Sequence, residues 1–358
     1  MTTTTQPPTP PVAVHTTWRG IRVMAGHEFR IRLRAGRWRW LLAAWFVVLA
    51  AFTALMRWAF AASGVERTGA FMFGGLMMFI IGLALLVVPT LTAQSVNGDR
   101  ERGLLATLQT TLLTPTEIAV GKLAAAWGTS LVFLVLTLPL VVWCMAEGGV
   151  PLSRALVCLG VTALLLGVVC AIALCLSALL ARSTTSAVLS YLAVFALTVG
   201  TLIAFGLAGL TTQTTEQRTD RFPVWDQGNT SSEPDRWETT TYETTVVHTE
   251  RVWWLLAPNP FVIVADATPE TGRPDTSDPY GYDDQRTDPL RSIGDLVRQA
   301  RDPEAYGPSG ELVHEGGQKP LWPYGLAFNL LLGVGAVALT VRRLNAPYRT
   351  IPRAVRVA

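Results

Sequence analysis

Long apolar runs alternate with short polar stretches along most of this chain. Six runs are rich enough in apolar side chains to form helices in a bilayer, and about 20 such residues cross the roughly 30 Å hydrocarbon core. They cover residues 41–60, 71–91, 123–146, 156–180, 187–210 and 322–339. The pattern therefore predicts an all-α membrane protein with six transmembrane helices.

The polar segment between the second and third runs, residues 95–122, has a helical pattern of its own. Asn97 and Gly98 form a turn signal, after which Leu104, Leu108 and Leu112 recur at four-residue spacing. This spacing predicts a short amphipathic helix between the two membrane helices.

A second helix is predicted to begin inside the same segment. Thr114, Pro115 and Glu117 have the order of a capping box, with Thr at the N-cap, Pro at the first helical position and Glu three residues after the cap. No strong stop follows before Ala146, and a helix of that length measures roughly 48 Å, against a hydrocarbon core of roughly 30 Å. We therefore expect the third membrane helix to protrude and to form a rigid lever with the preceding helix.

Charge predicts the orientation of the chain in the membrane. Seven arginines lie between Arg19 and Arg39, and five more follow the last run. Because positive residues collect on the cytoplasmic side, both termini and the segment 95–122 are predicted to be cytoplasmic. The loop 211–321 carries 20 Asp/Glu and 10 Lys/Arg, a net charge of −10, and is predicted to lie outside. The protein is thus expected to be a multi-pass protein of the plasma membrane.

Five regions follow from these patterns. Residues 1–17, rich in Thr and Pro, are predicted to be a disordered cytoplasmic tail. Residues 18–40 are predicted to be an interfacial amphipathic helix whose arginines meet membrane lipids, although a plain positive anchor is the alternative. Transmembrane helices 1–5 occupy 41–210, the extracytoplasmic loop 211–321, and helix 6 with a basic cytoplasmic C-terminus 322–358.

The large loop contains one apolar stretch, residues 251–268, which is broken by Pro258 and Pro260. As a seventh span it would place the basic C-terminus outside, so we expect it to lie against the helix bundle. Residues 290–301 are predicted to form a helix, whereas 211–250 contain too few aliphatic residues to bury a core.

All four cysteines fall outside the large loop, in or beside the third and fourth runs. Cys144 and Cys158 could approach each other at the ends of adjacent helices. Burial as free thiols is the favoured interpretation, because free cysteine behaves as a small apolar residue.

No catalytic, metal-binding or cofactor-binding motif is complete. Gly121 and Lys122 are followed by Leu123, which breaks the phosphate-binding loop pattern, and Ile31 stands where the zinc-protease pattern begun by His27 requires a second histidine. The apolar runs contain almost no ionisable residue, which disfavours ion-coupled transport. The sequence therefore predicts a non-enzymatic protein without a cofactor and without a nucleic-acid partner.

Several short motifs together resemble the ABC-2 type transporter permeases. In the inner loop they are Glu101-Arg102-Gly103, Leu108, Leu113-Thr114-Pro115 and Gly121-Lys122. The six-span layout is similar too, as are Glu28-Phe29-Arg30, Pro258-Asn259-Pro260-Phe261 and Val341-Arg342-Arg343-Leu344. Leu104 stands where the family usually has Thr. The resemblance covers most of the chain except the outer loop.

This resemblance implies a non-catalytic membrane subunit that docks on a separate ABC ATPase subunit, where ATP binds. A second permease subunit, identical or different, would complete the transporter, and a lipidic or amphipathic substrate would be exported. Glu101 is expected to contact the ATPase, Gly103 to allow close approach, and the leucines to fill a groove. The expected coupling residues are Glu101, Arg102, Gly103, Leu104, Leu108, Leu112, Pro115, Gly121 and Lys122.

Three alternatives stay open on sequence grounds. The segment 95–122 could pack on its own bundle instead of on a partner. The chain could be a membrane-anchored sensor or assembly factor that acts through the acidic loop 211–321. An intramembrane enzyme is disfavoured, because the apolar runs lack paired ionisable groups.

Overall fold

The structure is a computed structural model that describes residues 16–34, 36–63, 68–101, 114–224, 236–268, 288–303 and 319–345. Six helical segments in these ranges are long and apolar enough to cross a membrane, as predicted. They are Trp38–Ala62, Gly69–Glu101, Pro115–Ala146, Leu152–Leu179, Ser183–Thr211 and Trp322–Leu344.

The helices before the large loop are numbered α1 to α9. They are α1 (Trp18–Arg34), α2 (Arg37–Ser63), α3 (Gly69–Thr92), α4 (Asn97–Glu101), α5 (Pro115–Leu136), α6 (Leu138–Ala146), α7 (Leu152–Leu179), α8 (Ser183–Phe195) and α9 (Thr201–Thr211). A π-helical turn, Ala196–Gly200, joins α8 to α9. The later elements are β1 (Gln213–Val224), β2 (Arg236–Val247), α10 (Pro260–Asp266), α11 (Pro289–Arg301) and α12 (Trp322–Leu344).

The centre of the bundle is built on α3 and α7. Phe73, Leu76 and Ile80 of α3 are fully buried, and Leu165 and Leu166 of α7 belong to the same apolar cluster. By contrast, α2, α8, α9 and α12 leave most of their apolar side chains at least partly exposed at the periphery. The helices also extend beyond the apolar runs, so that they take in charged residues that must find partners within the protein.

Helix α1 runs alongside the first half of α5 in the same direction. Gly20 lies against Glu117, Met24 against Gly121, and the ring of Phe29 near Gly128. A second, smaller apolar cluster lies at this end of the bundle, which we call the N-terminal end; it contains Met24, Val96, Ile118, Ala119, Leu174, Ala178 and Leu344. The interfacial position of α1 stays a prediction.

The opposite end, which we call the loop end, carries a β-hairpin that the all-α prediction missed. β1 and β2 pair antiparallel from Gln213 opposite Val247 to Val224 opposite Arg236. The side chains of this ribbon are almost all exposed. Its threonines favour strands because they are β-branched. The two strands have no apolar face, however, so their composition is that of a polar loop without a hydrophobic core.

The apolar stretch of the large loop lies against the bundle, as predicted. Its short helix α10 buries Ile263 and Val264 in the central cluster, where it contacts α3, α7 and α12. Helix α11 begins at Pro289, one residue before the predicted start. All four cysteines are free and buried, which confirms the favoured interpretation.

Candidate functional site

The most heavily paired polar region of the N-terminal end surrounds Lys122 on α5. Its side chain is fully buried, and Nζ donates to carboxylates of Glu28 on α1 and Asp99 on α4. It also donates to the carbonyl of Ser95 at 3.0 Å. A buried ammonium group is stable only when it is paired, so this one side chain ties α1, α4 and α5 together.

A second carboxylate fastens the start of α5. Glu117 Oε2 accepts from the backbone N–H of Thr114 at 2.7 Å, and the N–H of Glu117 donates to Thr114 Oγ1 at 3.2 Å. This is the predicted capping box, and it is confirmed. The other carboxylate oxygen accepts from both the N–H and the hydroxyl of Thr17 at 2.7 Å, which also attaches the start of α1.

Two glycines allow the close contact between α1 and α5. A Cβ atom on Gly121 would lie 2.7 Å from Cβ of Met24, and one on Gly20 would lie 2.4 Å from Oε1 of Glu117. Both distances are shorter than van der Waals contact, so these two helices approach each other only because the side chains are absent.

Helix α4 is attached to the end of α7, the start of α8 and the turn between them. Ser177 Oγ accepts from the N–H groups of Val96 and Asn97, each at 3.1 Å, and these are donors that the start of a short helix leaves unpaired. Arg100 Nη1 donates to the carbonyl of Leu180 at 3.1 Å, and Ser183 donates to the carboxylate of Glu101. The end of the second span is therefore fixed to the fourth and fifth.

Arg32 on α1 adds a further charge to this region. Burial lowers the pKa of its guanidinium, while the nearby carboxylates of Glu28 and Asp99 act in the opposite direction. Its Nη1 atom has no hydrogen-bond partner within the described residues. Two cations, Arg32 and Lys122, and two carboxylates thus lie together with no net charge.

We call Glu28, Asp99, Glu117 and Lys122, with their partners, the junction.

The structure places four of the nine predicted coupling residues. Pro115, Gly121 and Lys122 lie on α5, where Gly121 and Lys122 make contacts inside the protein. Glu101 is exposed at the end of α4 and accepts a hydrogen bond from Ser183. The remaining five, Arg102, Gly103, Leu104, Leu108 and Leu112, lie outside the described residues.

The partners of Lys122 could not be identified from the sequence. Glu28 stands there only in a short motif, and no local pattern pairs Glu28 or Asp99 with Lys122. The available signal was Lys122 itself, since a lysine one residue before a long apolar run needs carboxylates within reach if it is to be buried.

No protein-family model and no curated protein sequence matches this chain. Within the ranges that the structure describes, no cluster of three His, Cys, Asp or Glu side chains could hold a metal ion. The geometry of the junction and the sequence motifs beside it are therefore the features that bear on function.

Proposed function

We propose that this chain is the membrane-spanning permease subunit of an ATP-driven ABC transporter. Residues 95–122 would couple it to a separate ATPase subunit, and a second permease subunit would complete the assembly. The observation that carries the proposal is the junction, which joins both ends of the segment 102–113 through Lys122.

The junction could transmit a displacement from the segment 95–122 to the membrane helices. Helix α4 continues from the second span and α5 begins the third, so any force on the segment between them reaches both spans. Because Asp99 of α4 and Lys122 of α5 are paired inside the protein, the two helices and α1 would move as one body. A rigid body of this kind suits a coupling element better than two independent helices would.

The proposed substrate is lipidic or amphipathic and the proposed direction is export. Support for the substrate class comes from the peripheral helices, which expose apolar side chains along their length, including Leu192, Phe195 and Leu202 on the fifth span. A substrate that enters or leaves through the bilayer could follow such a surface. The direction rests on the family resemblance.

The docking assignment can be tested with an ABC ATPase that co-purifies with the unaltered protein. We expect Glu101→Ala and Leu108→Asp to reduce co-purification of the ATPase and its stimulated ATP turnover. Matched controls are Glu238→Ala on β2 and Leu296→Asp on α11, both exposed at the other end of the bundle. If the two test variants bind and stimulate the ATPase as the controls do, residues 95–122 are not the docking segment.

A second candidate function is favoured by the exposed ribbon formed by β1 and β2. A ribbon whose side chains are almost all exposed could serve recognition outside the membrane, as in a sensor or assembly factor. The two functions differ in which end of the protein tolerates change. Replacing the ribbon would abolish activity of a sensor, whereas a permease would still couple to its ATPase.

A further inference from the structure

Helices α10 and α11, which we call the cap, form one unit at the loop end. Asp266 Oδ1 accepts from Arg298 Nε at 2.8 Å, and Oδ2 accepts from the N–H groups of Leu321 and Trp322 at 2.5 and 2.7 Å. All three partners lie on different segments from Asp266, and its carboxylate is fully buried. The cap is therefore braced to the start of α12 by a carboxylate with each oxygen satisfied.

A different ion pair joins the cap to the rest of the bundle. Arg154, near the start of α7, donates to the carboxylate of Asp288, and both side chains are buried. Asp288 also caps α11, since its Oδ1 accepts from the N–H of Leu290 at 3.1 Å. Gly74 of α3 makes room for it, because a Cβ atom there would lie 2.2 Å from Oδ1.

The two ion pairs differ in how completely their polar atoms are paired. Nε of Arg154 is buried and has no hydrogen-bond partner within the described residues, and the guanidinium lies 5.7 Å from the ring centre of Phe73. A buried pair that leaves a donor unsatisfied recovers little of its desolvation cost, unlike the fully bonded Asp266. Of these two ion pairs, the one that joins the cap to α7 is thus the less completely hydrogen-bonded.

We propose that Arg154 and Asp288 form a releasable latch that holds the cap closed over α3 and α7. On release, the cap moves together with α12, to which Asp266 braces it, and uncovers the loop end of the bundle. This inference rests on the proposed transport function, for which such a movement would open the outer end of the substrate path.

Cys158 provides a reporter for the movement. It lies one turn after Arg154 on α7, is fully buried, and its Sγ atom is 3.7 Å from Thr268 Oγ1 at the end of α10. The closed cap therefore covers this thiol. Opening the cap would expose it to a reagent that approaches from the loop end.

The first experiment measures labelling of Cys158 by a membrane-impermeant maleimide in a protein whose other three cysteines are alanine. Asp288→Asn keeps the helix cap but removes the charge that pairs with Arg154. We expect labelling to accelerate by about tenfold or more, because the latch controls a local opening. Asp295→Asn, on the exposed side of α11, is the matched control. Equal rates in the two variants, each with a normal melting temperature, would overturn the latch.

The second experiment does not depend on the folding of Asp288→Asn. Thr268→Cys places a thiol beside the native Cys158, and oxidation should join α10 to α7. In the complex with the ATPase, we expect oxidation to reduce ATP turnover by about fivefold and reduction to restore it. The reason is that an opening step of this kind often limits the rate of a whole cycle. Thr268→Ser is the control. Unchanged turnover in the oxidised protein would show that the cap need not open.

The outcomes for the two proposals are separable. If the ATPase binds no form of the chain, the proposed function is wrong. The labelling rates of Cys158 still test the latch in that case. If Asp288→Asn stimulates the ATPase normally and its Cys158 is labelled at an unaltered rate, the latch alone is refuted.

Discussion

The two lysines of this chain have opposite environments. Lys122 is buried between Glu28 and Asp99, whereas Lys319 is exposed beside the start of α12. A buried ammonium group with two carboxylate partners is costly to disturb, because removing one member leaves the others without compensation. The stability of the N-terminal end should therefore depend strongly on one lysine and not on the other.

Lys122→Met should destabilise the protein by about 3–5 kcal/mol, because Glu28 and Asp99 would lose the buried ammonium group that pairs with both of them. The measurement is the thermal unfolding of the purified protein in detergent, with Lys319→Met as the matched control. Similar melting temperatures for the two variants would mean that the ion pairs of the junction contribute nothing.

Gly121→Ala should loosen α1, since its Cβ atom would meet Met24 at 2.7 Å. Overpacking of this kind costs about 1–3 kcal/mol. Limited trypsin digestion can follow it, because α1 carries several exposed arginines. Gly128→Ala is the control, since a Cβ atom there would lie 3.9 Å from Phe29, an ordinary contact. Equal cleavage of the two variants would contradict the close packing of α1 on α5.

At the scale of helices and strands, the sequence predicts features that depend on residues close together in the chain. The capping box at Thr114 depends on four consecutive residues, so sequence alone located the start of α5. The pairing of Glu28 and Asp99 with Lys122 depends on how helices from three parts of the chain meet, which no local pattern encodes. The ribbon was missed because its strands have no buried face to produce an alternation of polar and apolar residues.

Replacing residues 214–246 by a short turn should leave the bundle folded. Within the described residues, the ribbon contacts the bundle near its base, where Val247 lies 3.6 Å from the position that a Cβ atom on Gly209 would occupy. We expect a melting temperature within a few degrees of the parent and unchanged stimulation of the ATPase. Loss of ATPase stimulation in a well-folded variant would favour the sensor function instead.

At the scale of the whole molecule, the two ends of the bundle differ in chemistry. The N-terminal end holds α1 with its arginines and the junction, and the loop end holds the cap and the ribbon. Since arginine-rich segments stay on the cytoplasmic side, the proposed orientation places the junction inside the cell and the ribbon outside.

This orientation predicts the accessibility of introduced thiols in intact cells. Thr240→Cys on β2 should react with a membrane-impermeant maleimide, whereas Thr16→Cys should react only after the cells are permeabilised. Both positions are exposed, and the four native cysteines are buried, so the unaltered protein is the blank. The reverse pattern would place the arginine-rich end outside and refute the topology.

The geometry at the base of the ribbon also has a practical consequence. The N–H of His248 donates to the carbonyl of Thr212 at 3.3 Å, so the chain leaves and re-enters the bundle at one point. Sites of this geometry tolerate inserted domains. A rigid soluble module grafted in place of the ribbon would stand clear of the detergent micelle and give electron-microscopy images a feature for particle alignment.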